Sequence, residues 1–328
     1  MIRRFLSMFE PFVLMLLGTV LLATLLPARG RWAPIASEVA DIGIVLLFFL
    51  HGAKLSREAI LAGARNWRLH AAVLATTFAL FPLLGLGLTA LPILPGPVAS
   101  GLLFLTLLPS TVQSSIAFTA IARGNVAAAV CSASFSNLLG IIVTPALVAL
   151  LMGGSTGGFS LASAETIVGQ LLLPFVAGHL LRPWIGGFVE RRKGMLSIVD
   201  RGSILLVVYT AFGAAVVEGL WHRLSGQDLL LVLLLCLALL AVVLTLTWAA
   251  GRALGFSRED AIVLLFCGSK KSLASGVPMA GVLFPAAQVG VVLLPVMLFH
   301  QIQLIACAMI ARRYASAAPG EPATTPGA

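Results

Sequence analysis

The sequence predicts an all-α polytopic membrane protein: ten transmembrane helices as two inverted five-helix repeats, with the fourth and ninth helices discontinuous. Three observations predict it. Of the 328 residues 59% are hydrophobic and only 10% charged, with a mean hydropathy of +1.06, well outside the balance of a soluble domain. Basic residues cluster in short loops beside apolar runs, the pattern of a chain threaded through a bilayer. Two apolar runs are interrupted at similar depth, one in each half of the chain.

Ten apolar runs can be delimited, at 11–27, 38–53, 70–91, 97–122, 125–151, 164–181, 202–220, 228–251, 259–284 and 287–311. The first follows Arg3 and Arg4 as a signal peptide would, but residues 24–29 offer no small-x-small cleavage pattern, so it is read as a retained span. Ten spans bring both termini to one side. That side collects Arg3, Arg4, Lys54, Arg57, Arg65, Arg68, Arg123, Arg182, Arg191, Arg192, Lys193, Arg201, Arg252, Arg258, Arg312 and Arg313. Only Arg29, Arg31 and Arg223 lie opposite, and Lys270 and Lys271 fall inside the membrane. The positive-inside rule then makes both termini cytoplasmic, in a plasma membrane or the inner membrane of a bacterium. One span more or fewer would scramble this asymmetry. The net charge of +9 belongs to the loops and to anionic lipid facing them, so the bilayer is the expected partner and nucleic acid is not.

The glycine-rich run 153–158 parts five spans from five, giving repeats over 1–152 and 159–313. An odd number of spans per half inverts the second repeat. Pro145 in the fifth span and Pro295 in the tenth echo one another. The tail, 314–328, is too polar to pack and reads as disordered.

In the ninth run the apolar stretch 261–267 stops at Gly268 and Ser269 and resumes near Leu273. Ser257 and Asp260 read as a capping pair that opens it. With a start near Arg258, Lys270 lies about 12 residues in, or ~18 Å along a ~30 Å hydrocarbon core. A charge at that depth costs about 2.5–3.5 kcal/mol on insertion scales and marks a functional site by default. The fourth run breaks at Pro109, Ser110 and Thr111, followed by Gln113, Ser114 and Ser115. The four cysteines show no CxxC spacing, the five histidines no HExxH, and spans three, four, five and ten hold no acid. Neither a metal site nor an intramembrane enzyme is suggested, and no cofactor is expected.

The segments PSTVQSSIAFTAIARGNVAAAVCSASFSNLLGIIVTPAL (109–147), LLLPFVAGHLLRP (171–183) and FFLHGAKLSREAI (48–60) resemble the bile acid:sodium symporter family. GSKKSLASGVPMA (268–280) resembles the subgroup of its seventh human member and of bacterial relatives described as sodium-dependent transporters. The resemblance implies a panel of spans 1, 2, 6 and 7 and a core of spans 3–5 and 8–10. In that core the broken helices cross at the midplane, where sodium and organic-anion sites gather. Sodium-coupled members carry a glutamate and then a Gln-Asn pair in the ninth helix. Here Phe266 takes the glutamate's place, and Lys270 and Lys271 those of the pair. The family's polar pair in the fourth span maps to Ser114 and Ser115. Its fifth-span ligands fall at Ala129 and Ala133, with Ser132, Ser134, Ser136 and Asn137 nearby.

The candidate binding set is therefore Gln113, Ser114, Ser115, Ser132, Ser136, Asn137, Ser269, Lys270, Lys271 and Ser272. Each has a structural alternative: serine and glutamine hydrogen-bond neighbouring helices, and lysine snorkels. His179, His300, Gln301 and Gln303 read as structural hydrogen-bonding groups. Sodium wants carboxylate and carbonyl oxygens, so an ammonium beside its site puts family-type sodium coupling in question. Sodium, a proton or no ion at all could be coupled. The expected function is a secondary active transporter of an anionic organic solute, with a midplane lysine as charge partner. A membrane regulator that keeps the fold without transporting is the alternative.

Overall fold

Apolar runs this long satisfy their backbone groups in lipid only by coiling, and they do so throughout the described residues, which are 11–54, 66–90, 95–152, 165–166, 168–219 and 225–316 of a computed structural model. The run 153–158, the tail beyond 316, and Arg3, Arg4, Arg57, Arg65 and Arg223 lie outside them. In chain order the helices are α1 (Pro11–Leu25), α2 (Trp32–Lys54), α3 (Trp67–Thr89), α4 (Gly96–Leu107), α5 (Gln113–Ile121) and α6 (Val126–Met152). They continue as α7 (Val168–Arg191), α8 (Lys193–Val217), α9 (Gly226–Ala253), α10 (Arg258–Gly268), α11 (Leu273–Leu283) and α12 (Ala286–Ser316). Seven of them, α2, α3, α6, α7, α8, α9 and α12, are long and apolar enough to cross a membrane. No strand occurs among the described residues.

The chain's punctuation sets these boundaries. Ser225 and Asp228 form a capping box at the start of α9, the serine hydroxyl accepting from the Asp228 amide and the carboxylate from the Ser225 amide. Gly255, at φ +69°, ends the same helix in a Schellman motif: its amide donates to Arg252 and that of Phe256 to Gly251. Two residues later Ser257 caps α10 by accepting from the Asp260 amide, as the sequence predicts. Several helices outrun their apolar stretches. α2 begins at Trp32 rather than 38 and α8 at Lys193 rather than 202, because polar turns such as 193–201 remain helical beyond the hydrocarbon. π-Helical turns at Thr76–Leu80 and Val168–Leu172 were not expected from the sequence.

Two groups of helices can be distinguished by what they touch. α2 lies along α7 and α8, and α1 packs on α8. The α2–α7 approach is close enough that a Cβ on Gly52 would collide with the Phe175 carbonyl, and one on Gly178 with the Phe49 carbonyl. Small residues at a helix crossing serve this purpose in membranes. In the second group α4 packs on α3 and α12, α9 on α10 and α12, and α5 and α10 on α6. The fully buried rings of Phe81, Phe104 and Phe299 fill this group's interior. Large apolar side chains such as Leu150, Ile142 and Leu180 point outward, as expected of surfaces facing lipid.

Candidate functional site

The two interruptions meet. Pro109 has no amide to donate to the Leu105 carbonyl, and α4 stops at Leu107. After five intervening residues Gln113 opens α5. On the other side α10 ends at Gly268, and Ser272 caps α11 by accepting from the Ser275 amide. Between the breaks, the Ser272 amide donates to the Pro109 carbonyl at 2.8 Å, and the Ser110 hydroxyl to the Cys267 carbonyl at 2.6 Å. Ser115 donates to the Phe266 carbonyl at 3.2 Å and shares its hydroxyl with Thr111. α6 supports the junction from behind. Its Ser136 hydroxyl accepts from the Ser110 amide at 2.9 Å, its Thr144 donates to the Leu107 carbonyl, and its Gly140 makes room for the Pro109 ring.

A cavity of about 1190 Å³ ends on this junction. Its closed end is lined by Thr111, Gln113, Ser114, Asn137, Ser272 and Ser275, and Ser275 donates to the Asn137 side-chain oxygen at 2.8 Å. One face of α12, from His300 and Gln301 through Leu304 and Ala308 to Arg312, forms a wall. Phe48 and His51 of α2, Phe175 of α7 and Ile204 of α8 stand across from it. Lys54, Arg201 and Arg312 lie at the other end; Asp200, the sole carboxylate in the lining among the described residues, pairs with Lys54. Beyond the junction the two helix groups close. A Cβ on Gly281 of α11 would touch Ile44 and Val207, and one on Gly290 of α12 would press on Ala215.

The lysines part company at the break. Lys271 is pinned through its backbone by the Gln303 amide, which accepts from its N–H and donates to its carbonyl, both at 2.9 Å. Its Nζ turns away from the cavity and donates to the carbonyls of Thr77, Thr106 and Leu108 at 2.7–2.8 Å. Lys270 is equally buried, and its Nζ has no hydrogen-bond partner. It lies 4.3 Å from the centre of the Phe118 ring and 5.5 Å from that of Phe266, within cation–π range of both. Phe118 itself lines the cavity, and the Lys270 ammonium lies against its ring.

A family profile, the SBF-like CPA transporter family, matches residues 10–316, nearly the whole chain. The chain belongs to that family. "Uncharacterized protein PA2026" of Pseudomonas aeruginosa is 58% identical over 93% of each chain. "Putative symporter YfeH" of Escherichia coli is 52% identical over 93% of this chain and 92% of its own. "Sodium/bile acid cotransporter 7" of Rattus norvegicus is 27% identical over 86% of both. Membership makes the chain a multi-pass membrane protein of a transporter family, and its named relatives are symporters and cotransporters, not enzymes.

Within this SBF-like fold the ten candidate residues divide. Gln113, Ser114, Asn137 and Ser272 reach the cavity. Ser115 and Ser136 are consumed in fastening the breaks, and Ser269 bonds back to the Leu265 carbonyl. Ser132 points elsewhere again and pairs with His70 Nδ1 at 2.7 Å. Lys270 and Lys271 both lie behind the wall. Gln303 is structural, as the sequence suggests; His300 bonds Gln303 through Nδ1 at 3.0 Å and, like Gln301, also lines the cavity. Sequence reasoning passed over Phe118, His51 and Ser275. A usable signal existed for α12, where 301, 304, 305, 308 and 312 repeat at helical spacing. No group of three or more His, Cys, Asp or Glu side chains able to hold a metal occurs among the described residues.

Proposed function

We propose that this chain is a secondary active transporter that carries an anionic organic solute by alternating access. One observation supports this reading above the rest. The cavity ends on the N-termini of two half-helices, α5 and α11, and no carboxylate stands among the residues lining that end. Unpaired amides at a helix start and the positive end of its dipole favour an anion. Lys54, Arg201 and Arg312 at the mouth draw the same sign of charge, and the apolar walls suit an organic body.

The broken pairs α4–α5 and α10–α11 each count as one span on this reading, which makes ten spans in two inverted repeats. α1, α2, α7 and α8 form the panel; the others form the core. Both termini are cytoplasmic by the basic asymmetry, so the cavity opens inward in the plasma or inner membrane. Lys270 is the charge partner: rotation of Phe118 bares its ammonium to the bound anion. Family-type sodium coupling lacks its carboxylate here, since Phe266 is buried in its place, and a proton is the coupling ion.

A thermal-shift screen of the purified protein against organic anions, sodium and pH tests this. An anion that raises the apparent Tm in choline buffer supports the reading by mass action. Stabilisation by organic cations but by no anion defeats it. Anion binding without uptake into proteoliposomes would instead favour a regulator that keeps the fold.

A further inference from the structure

Three backbone carbonyls point at one place between α3 and the end of α4, one left without a helical partner by a proline and two by the end of a helix. In the π-turn of α3 the Phe81 amide bonds the Thr76 carbonyl, and the next residue, Pro82, has no amide for Thr77. At the end of α4 the Ser110 amide, four residues after Thr106, is diverted to Ser136. The chain leaves the helix at Leu108, whose carbonyl turns the same way. Buried carbonyls without donors are costly in a membrane interior.

Lys271 answers all three, with its Nζ 2.8 Å from the Thr77 oxygen and 2.7 Å from each of the other two. The Phe81 ring centre lies 4.1 Å away, on a further side of the nitrogen. A neutral amine has two N–H groups and would turn its lone pair on the third oxygen, so this geometry suits the ammonium form. Rings of backbone carbonyls and the faces of aromatic rings are also what proteins use to replace the water around a free monovalent cation.

We propose that Lys271 is a tethered cation occupying a carbonyl cage, and that the cage accepts a free monovalent cation when the ammonium is removed. The protein thus carries on its own chain the positive charge that holds α3, the α4 break and the α10–α11 break together. Loading from solution is unnecessary, and sodium has nothing to add at this place. The inference goes beyond the anion-carrier reading and does not depend on it: Lys271 faces away from the cavity, and no organic anion enters the test.

The experiment compares wild type, Lys271→Ala and Lys271→Met as purified full-length proteins in sodium, potassium, ammonium or choline chloride at equal ionic strength. Wild type should melt at the same temperature in all four. Lys271→Ala should melt lower in choline and recover in a saturable way, by about 3 °C or more, in at least one small-cation salt. Lys271→Met, which fills the cage with an apolar chain, should be destabilised and indifferent to the cation. Equal melting of Lys271→Ala in every salt would overturn the proposal. So would a cation response of the same size in wild type or in Lys271→Met. Failure of Lys271→Ala to fold in any salt also counts against it, because cellular potassium should fill the vacated cage.

Discussion

The Ser272 amide donates to the Pro109 carbonyl at 2.8 Å, so each helix break is completed by the other. Pro109 lacks an N–H yet keeps a carbonyl that no helix claims, and Ser272 at an N-cap has an amide with no intrahelical acceptor. Neither break is a defect that its own helix repairs. The Ser110–Cys267 and Ser115–Phe266 bonds repeat the arrangement on either side, so the junction behaves as one unit. Two half-helices start from it toward a common cavity, and that is the condition for an anion site in a membrane interior.

The junction should therefore be sensitive to single atoms. Ser110→Ala removes the donor to Cys267 and leaves a buried carbonyl unsatisfied, an expected loss of about 1–3 kcal/mol. Gly140→Ala places a Cβ 2.6 Å from Pro109 Cβ, and overpacking of that kind costs about 1–3 kcal/mol as well. Gly87→Ala, with nothing within 4 Å, is the control and should be neutral or slightly stabilising. Apparent Tm values in detergent check all three. Should Gly140→Ala melt with wild type, the tight fit at Pro109 is not real.

Topology can be read by labelling, and the four native cysteines, all buried, leave little background. Gly194 and Gly226 are both exposed, one in the first turn of α8 and the other past its end, at the start of α9. An impermeant thiol reagent added to intact cells should modify Gly226→Cys and spare Gly194→Cys. A label at position 194 in intact cells would refute cytoplasmic termini.

How much of this was legible in the sequence depends on the residue. The interruptions were plain, because proline at 109 and glycine before a polar run at 268 weaken any helix in lipid. What the two lysines do was not. Adjacent residues on unwound chain point apart for reasons held elsewhere: Gln303 fixes the Lys271 backbone from α12, and the Thr77 carbonyl is freed by a π-turn that no composition announces. The serines were misleading in a similar way. Ser132 and Ser136 sit one turn apart on α6 and face inward, whereas Ser134 and Asn137 share the face that lines the cavity. Only the packing of α6 against the break decides between those faces. Phe118 escaped notice because an aromatic in an apolar helix looks like core until an ammonium is found behind it.

The basic mouth should act through long-range attraction rather than contact. Lys54 is already paired with Asp200, which leaves Arg201, set over the Phe12 ring, and Arg312 as the charges at the entrance without a carboxylate partner among the described residues. Arg312→Gln should slow anion binding by about threefold to tenfold at low ionic strength and much less near 0.15 M salt, where the screening length is about 8 Å. Stopped-flow association of a fluorescent organic anion, repeated across salt concentrations, measures this. A uniform loss of affinity, unchanged by salt, would mean that Arg312 touches the ligand directly.

Lys270 and Phe118 give the sharpest test of the transport reading. The Nζ is buried without a hydrogen-bond partner and is held over two rings, an arrangement that leaves its charge poorly compensated. An anion reaching the junction would supply what is missing once Phe118 swings aside. Phe118→Ala should remove the screen and tighten binding of a small organic anion, while Lys270→Gln should weaken it by about tenfold or more, the scale of one charge-assisted hydrogen bond. If Lys270 carries the coupled proton, Lys270→Gln should also flatten the pH dependence of uptake. In the double variant the gain from Phe118→Ala should disappear, because opening the wall then exposes no charge. Additive effects of the two changes would separate the ring from the lysine and place the anion's partner elsewhere. Sodium-stimulated, pH-independent uptake that survives both Lys270→Gln and Lys271→Gln would sink proton coupling altogether.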